Sequence, residues 1–330
     1  ASDQLIHDLV NFHMTWSSRD DVKGDVQCFT VREIAATVHA LSENHNMYDT
    51  IMTIYGARYP KDKKEKLREH LLSYESFKNL TPNEFEYPEN FPKCYHNKNL
   101  EEALKAIFFS FDNKRNVILT GLEGSGITQL AKWVAKFYDE KNNSSNNEEH
   151  KSNNVFFCVC TEETKCSDLI GHQKPSDKIE SGQELITFKP GLLTEGIQQG
   201  CCVVLDSLDE APSTVTERLN GLLDEKYDGE KKMFEIPENP KGEPIEINPS
   251  FRLLCTCRID KISQMSPAFI NRFDVIVLNN QLENIDDQCL KNLIELLMTT
   301  KFNYASQTAT NSNNNDDNGE KGRFYLNNRE

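Results

Sequence analysis

Short apolar runs recur between residues 116 and 278 of this 330-residue chain, separated by helical or polar segments. Five such runs stand out, at 116–120, 155–160, 201–205, 251–257 and 274–278. Because they are apolar nearly throughout, they are typical of strands buried on both faces of a sheet. Their alternation with helical patterns predicts a three-layer α/β domain around a mainly parallel, five-stranded sheet.

Residues 1–80 show helical spacing instead, and we expect a small all-α domain there. Thr30 and Glu33 form a capping-box pattern, in which the Thr30 hydroxyl accepts from the amide three residues on and Glu33 reaches back. Further helices are predicted at 48–59 and 61–74.

These changes in pattern divide the chain into five predicted segments: helices at 1–80, a proline-containing linker at 81–98, the α/β domain at 99–280, the start of another helical part at 281–304 and an Asn-rich tail at 305–330. Asn99 is expected to cap the first helix of the α/β domain. A helix is predicted at 129–138, followed by a polar surface loop at 141–154, and hairpins at 179–186 and 233–248.

Composition and charge argue against some classes of function. A net charge of −15 and a pI near 5.1 argue against general nucleic-acid binding, which needs clustered basic residues. No apolar run approaches the roughly 18–20 residues of a membrane span, and no secretory leader is visible. Because the chain opens within a helical pattern, we expect it to be a piece of a longer polypeptide.

Six of the ten cysteines form close pairs in strand-like runs: Cys158/Cys160, Cys201/Cys202 and Cys255/Cys257. None forms a CxxC motif, so we expect buried, reduced thiols in an intracellular protein. A zinc site built from these pairs is the weaker alternative.

Residues 121–128, GLEGSGIT, follow one predicted strand and precede a helix, where a phosphate-binding loop would lie. The candidate nucleotide-binding residues are Gly121, Leu122, Glu123, Gly124, Ser125, Gly126, Ile127, Thr128 and Gln129. The glycines allow backbone amides to approach phosphates closely, and the Thr128 hydroxyl can hold Mg²⁺. Ile127 occupies the usual lysine position, and losing that charge costs roughly 1.5–3 kcal/mol. A purely structural turn is the alternative.

Asp206 follows the apolar run 201–205 and suits the carboxylate that positions Mg²⁺. The next residue is Ser207, and Glu210 lies farther along the chain, where we expect it to point elsewhere. Without other evidence Asp206 could be an ordinary residue at the end of a strand.

Longer segments carry a resemblance: TKCSDLIG (164–171), FKPGLLTEGIQQG (188–200), VVLDSLDEAPSTVTERLNGLLDE (203–225), PSFRLLCT (249–256) and MSPAFINRFDVIV (265–277). Together they resemble the large subdomain of a dynein-related AAA+ P-loop module, most closely those of the midasin family. Members of that family are ring ATPases that remove assembly factors from pre-60S ribosomal particles. The resemblance covers roughly residues 100–280, and TVREIAATV (30–38) resembles the small helical subdomain of the preceding module.

Three residues depart from the family's pattern. Ile127 replaces the phosphate-loop lysine, Ser207 replaces the glutamate that activates water, and Arg258 replaces a polar sensor on the fourth strand. The resemblance thus implies a module that is hydrolytically inactive, with weak or no nucleotide at its own site.

Two arginines match the family's pattern. Arg272 corresponds to the arginine finger and Arg32 to the sensor arginine of the small subdomain. The resemblance implies that both face the ATP or ADP and Mg²⁺ of the preceding module. The alternative for each is an ordinary solvated charge.

The same resemblance implies partners and a location: neighbouring AAA+ modules of one chain, the pre-60S particle with its assembly factors, no direct nucleic-acid or membrane contact, and the nucleus (nucleolus and nucleoplasm). Other interpretations stay open. The module could hold a structural nucleotide, act as a scaffold through its hairpins, or belong to dynein or to a von Willebrand factor A domain-containing relative.

Overall fold

The computed structural model describes residues 3–19, 29–42, 45–88, 91, 98–145, 155–175, 186–224, 232–239 and 244–278. They belong to one compact unit, Ala1–Asn280. The predicted segments 281–304 and 305–330 lie outside the described residues. The division at residues 80 and 98 stays a prediction.

Four helices come first: α1 (Asp3–Ser17), α2 (Val31–Ser42), α3 (Met47–Gly56) and α4 (Lys61–Leu72). A 3₁₀ turn, Glu75–Phe77, follows them. Their amphipathic faces meet in an aromatic-rich core, formed by Leu9, Phe12, Trp16, Phe29, Tyr48, Ile51, Ile54, Tyr55, Tyr59, Leu67, Leu71 and Phe77. The segment therefore has the all-helical character that its spacing predicts.

The predicted cap of α2 is present, with one difference. The carboxylate of Glu33 accepts from the Thr30 amide at 2.7 Å, as a capping box requires. The Thr30 hydroxyl, however, accepts from the amide of Arg32 at 3.2 Å, one residue earlier than predicted. Both contacts satisfy amides that have no partner inside the helix.

The α/β part begins with α5 (Lys98–Asp112), so Asn99 lies inside the first turn and its predicted role as the cap is wrong. The remaining helices are α6 (Ile127–Ser145), α7 (Cys166–Leu169), α8 (Leu192–Gln199), α9 (Ser213–Leu223) and α10 (Pro267–Ile270). Helix α6 continues beyond the predicted end at 138 and into the tract expected to be a loop from 141. Residues 146–154 lie outside the described residues.

The main sheet contains β1 (Val117–Gly121), β2 (Phe156–Val159), β5 (Cys202–Asp206), β8 (Arg252–Arg258) and β9 (Asp274–Leu278). Its strand order is β2-β5-β8-β1-β9, and all four neighbouring pairs are parallel. The predicted five-stranded parallel sheet is confirmed, with each strand within about one residue of its apolar run.

Successive residues of a strand enter different cores. In β5, Val203 and Leu205 join a core with α8 and α9, whereas Cys202 and Val204 join a core with α5 and α6. Because side chains alternate across a strand, these two cores lie on opposite faces of the sheet. The result is the predicted three-layer arrangement.

Two small antiparallel pairs accompany the sheet. Strands β6 (Met233–Phe234) and β7 (Ile245–Glu246) pair as the predicted second hairpin. Strands β3 (Gly171–Pro175) and β4 (Ile186–Pro190) also pair, but they flank the predicted hairpin at 179–186 more widely than expected. Residues 176–185, the expected turn, lie outside the described residues.

The helical segment contacts the α/β part directly. The amide of Val277 in β9 donates to the carbonyl of Ala57, just after α3, at 2.8 Å. Lys64 of α4 pairs with Glu102 of α5 at 3.1 Å. Within the predicted linker, Phe91 is buried and meets the ring of Trp133 edge-on, with ring centroids 4.6 Å apart. The helices are thus held against the edge of the sheet that β9 forms.

Candidate phosphate loop and arginine pair

The loop between β1 and α6 has backbone angles that favour glycine. Gly124 and Gly126 have φ of 77° and 84°, in the left-handed region. At Gly121, an added Cβ would lie 2.7 Å from the Ser125 hydroxyl, so a side chain would collide with the loop. The loop also precedes the N-terminus of a 19-residue helix, where backbone amides favour anions. The loop backbone therefore requires glycine at these three positions.

The two predicted magnesium ligands lie together. The Thr128 hydroxyl donates to Oδ1 of Asp206 at 2.8 Å, although the two residues belong to different elements. The Thr256 hydroxyl donates to the same oxygen at 2.7 Å and accepts from the Ser207 amide at 2.9 Å. A hydroxyl beside a carboxylate is an oxygen donor set that suits Mg²⁺. Thr256 is not recognisable from the sequence, because a lone threonine in an apolar strand carries no distinctive signal.

Ile127 is used for packing. Its side chain is half-buried and lies against the core formed by α5, α6 and one face of the sheet. Its Cγ2 atom lies 3.1 Å from the position that a Cβ on Gly121 would occupy. Leu122, Glu123 and Gln129 are exposed. The side chain at the lysine position thus contributes hydrophobic contacts in place of a charge.

Arg258 lies at the end of β8, in register with Gly121 at the start of the loop. Its Nε donates to Oδ2 of Asp209 at 2.9 Å, and Nη2 forms a short contact with Glu210. Nη1 lies 3.5 Å from Oε1 of Glu123 in the loop. The hydrogen bond with Asp209 raises the pKa of Arg258 above its usual value. Glu210, expected to point elsewhere, in fact reaches this end of the sheet.

This network changes the electrostatics of the loop. Three carboxylates, from Glu123, Asp209 and Glu210, share the single guanidinium of Arg258, and Asp206 lies near the same edge. Such a surplus of negative charge disfavours a polyphosphate. Thr128 and Asp206 thus suit Mg²⁺, whereas the carboxylates around Arg258 add negative charge beside the loop.

Ser207, at the catalytic glutamate position, has left-handed backbone angles, with φ 56° and ψ 49°. Such angles are uncommon for residues other than glycine. They turn the chain sharply from β5 into the 3₁₀ turn Leu208–Glu210. This turn directs Asp209 towards Arg258.

Arg32 and Arg272 meet, although 240 positions separate them. Nη2 of Arg32 donates to the backbone carbonyl of Arg272 at 3.4 Å. Arg272 lies just beyond α10, where Nε donates to Oδ1 of Asp224 at 2.6 Å and Nη1 to the carbonyl of Ala268 at 2.6 Å. The structure therefore brings together the two predicted trans-acting arginines, at a place where the helical segment touches the α/β part.

The cysteines of the described residues are free thiols, with Cys160, Cys202, Cys255 and Cys257 buried. Hydrogen bonding from Cys160 lowers the pKa of Cys158 to about 7, whereas burial raises that of Cys201 to about 11. Within the described ranges, no cluster of three or more His, Cys, Asp or Glu side chains could hold a metal ion. No helix in that part of the chain has the length and hydrophobicity to cross a membrane.

Comparison with known proteins agrees with this fold. Residues 116–273 match the family described as AAA domain (dynein-related subfamily). Together with the sheet, this match shows an α/β AAA+ P-loop domain preceded by helices, and it supports a ring-type AAA+ ATPase module. Domains of this class generally bind nucleotide and Mg²⁺ and act with neighbouring modules.

The chain is also similar to bacterial proteins. An uncharacterized protein of Staphylococcus aureus strain USA300 is 26% identical over 187 residues, which cover 56% of this chain and 62% of that protein. Uncharacterized proteins of strains NCTC 8325 and Mu50 match to the same extent. The chain thus matches less than two thirds of the length of these relatives.

Proposed function

We propose that this chain is a module of a midasin-like ring ATPase that remodels pre-60S ribosomal particles in the nucleus, in nucleolus and nucleoplasm. Its own site does not hydrolyse ATP. It contributes Arg272 and Arg32 to the ATP site of the preceding module, where ATP or ADP binds with Mg²⁺. Its partners are the neighbouring AAA+ modules of the same chain and, through them, assembly factors on the particle.

The contact between Arg32 and Arg272 is the observation that carries this proposal. The side chain of Arg32 lies against the backbone of Arg272, so the two arginines that are predicted to act on the same neighbouring nucleotide are adjacent. Nη2 of Arg32 reaches the Arg272 carbonyl, so the helical segment also fixes the backbone that carries the finger.

The residues at the module's own nucleotide site also support the proposal. With Ile127 half-buried against the core and Arg258 bound by carboxylates, neither side chain supplies a free positive charge to a phosphate. Ser207 has no carboxylate to activate water. A module with these changes keeps the fold and surface of an ATPase while turnover takes place elsewhere.

The test is Arg272→Ala in the full-length protein, with total ATPase activity as the measurement. An arginine acting in trans contributes roughly 10³–10⁵ in rate at its site. We therefore expect total ATPase activity to fall by the part that the preceding module's site contributes. Arg218→Ala is a matched control, because Arg218 is also ion-paired, to Glu238 at 3.1 Å, and has no role at the site. An unchanged rate for Arg272→Ala would overturn the proposal.

A second candidate is a module that holds a structural nucleotide without hydrolysing it. The contact between Thr128 and Asp206 favours it, since the magnesium-binding half of the site is intact. Calorimetry of the isolated chain with Mg·ATP distinguishes the two: binding heat together with a thermal shift supports this candidate, and the lack of both at millimolar nucleotide rejects it.

A further inference from the structure

The guanidinium of Arg272 is fixed on two sides. Nε donates to Oδ1 of Asp224 and Nη1 donates to the carbonyl of Ala268, both at 2.6 Å. The backbone acceptor belongs to α10, the short helix immediately before the arginine. A planar guanidinium with two such anchors has little freedom to rotate.

The third nitrogen of the Arg272 guanidinium, Nη2, is different from the two anchored ones. Within the described residues, Nη2 of Arg272 donates to no protein acceptor, and the side chain is 28% exposed. Within the described residues, Nε and Nη1 are therefore held, and Nη2 is left for another acceptor.

Asp224 is an unusual residue for its position. It follows the last residue of α9, and its amide donates to the carbonyl of Asn220 at 3.1 Å. A carboxylate at the C-terminal end of a helix faces the negative end of the helix dipole, which disfavours it. The ion pair with Arg272 offsets this penalty. The side chain of Asp224 is 57% exposed, so it is not needed to fill the core.

We propose that Asp224 is a positioning residue for Arg272: it holds the guanidinium so that the Nη2 edge meets the phosphates of the preceding module's nucleotide. This inference rests on the proposed function of Arg272. Because a flexible arginine must lose its rotameric freedom on reaching the transition state, an anchor present beforehand increases the rate without adding a new contact to the nucleotide.

The experiment uses the full-length protein and four variants: Arg272→Ala, Asp224→Asn, Asp224→Glu and the double variant Asp224→Asn/Arg272→Ala. Glu217→Gln is the matched control, because Glu217 is an exposed carboxylate on the same helix. Steady-state ATP hydrolysis gives kcat and KM for each variant. Thermal unfolding of each variant checks that the fold is retained.

We expect Asp224→Asn to lower the Arg272-dependent part of kcat by about 10–100-fold, as misplacement of a catalytic group does, with little change in KM. Asp224→Glu recovers a large part of the rate, and Glu217→Gln is like wild type. The double variant is no slower than Arg272→Ala alone, because both changes remove one interaction.

The outcomes separate the two ideas. If Arg272→Ala lowers the rate but Asp224→Asn does not, the positioning role is wrong and the proposed function stands. The positioning role is also wrong if Asp224→Asn and Arg272→Ala lower kcat additively, since Asp224 would then act independently of Arg272. If Arg272→Ala itself has no effect, the proposed function fails first.

Discussion

The carboxylate of Asp209 binds Arg258 twice, accepting from its backbone amide at 3.3 Å and from Nε at 2.9 Å. The Asp209 side chain is only 1% exposed, whereas that of Arg258 is 32% exposed, so the carboxylate is the buried half of this ion pair. A buried carboxylate that lost its arginine would be strongly destabilising, so the pair tends to persist. Arg258 is thus committed to the protein itself, next to a loop that has no lysine.

The loop should regain phosphate affinity when its missing charge is restored. We expect Ile127→Lys to tighten binding of Mg·ADP to the isolated chain by about 10–100-fold, since a charge-assisted contact contributes roughly 1.5–3 kcal/mol. Isothermal titration calorimetry measures the change. Ile127→Met, which alters the packing without adding charge, is the control. No gain with lysine would show that the loop amides do not form a phosphate cradle.

Thr256 should be important for stability even though the phosphate-loop motif does not include it. Its buried hydroxyl donates to Asp206 and accepts from the Ser207 amide. Thr256→Val keeps the shape but leaves that amide without its partner, so we expect a loss of about 1–3 kcal/mol in unfolding free energy. Urea denaturation provides the measurement. Thr256→Ser keeps the hydroxyl and should lose less, and equal losses would contradict the explanation.

Two helical glycines should respond in opposite directions to alanine. A Cβ on Gly196 in α8 would lie 2.2 Å from Cγ2 of the buried Val203, whereas a Cβ on Gly221 in α9 would meet nothing within 4 Å. We expect Gly196→Ala to cost about 1–3 kcal/mol through overpacking. Gly221→Ala should stabilise by about 0.4–1 kcal/mol. Thermal unfolding distinguishes them, and a shift in the same direction for both would be inconsistent with this packing.

Asp139 should make stability depend on pH in the acid range. Burial raises its pKa from 3.8 to about 6, although its carboxylate accepts from the Cys202 amide at 2.7 Å. Between these values the folded state binds more protons than the unfolded state, so this residue's contribution to stability falls as pH rises from about 4 to about 6.

Asp139→Asn keeps the acceptor and removes the titration. We therefore expect the variant to gain stability over wild type as pH rises from about 4 to about 6, by on the order of 1–3 kcal/mol, and to keep that gain at higher pH. Denaturation midpoints at pH 4 to 8 measure the difference. Asp112→Asn is a control on an exposed carboxylate elsewhere in the same domain. A difference between Asp139→Asn and wild type that does not change with pH would rule out this explanation.

The sheet could be predicted from the sequence because each strand is buried on both faces, which makes the runs around Val117, Val203 and Leu254 apolar at almost every position. Helix ends were harder to predict. Helix α6 continues into a polar tract at 141–145 because such residues can continue an exposed helix that is already anchored by its buried first turns.

The candidate site was predictable only in part. The glycines of the loop and the residues Thr128 and Asp206 follow from the spacing of a motif. The network around Arg258 depends instead on the left-handed turn at Ser207, which an ordinary serine does not reveal. The contact of Arg32 with Arg272 joins two distant segments, and only the resemblance to ring ATPases suggested it.

The order of strands has a consequence for how the chain acquires its structure. Strand β1 hydrogen-bonds on its two sides to β8 and β9, the last two strands of the sheet in the sequence. During synthesis, β1, which is buried along its whole length, thus emerges long before either lateral partner exists. Pairings of this kind are slow to form and leave strand edges open to association in the meantime. We therefore expect nascent chains that stop before residue 252 to require chaperone protection.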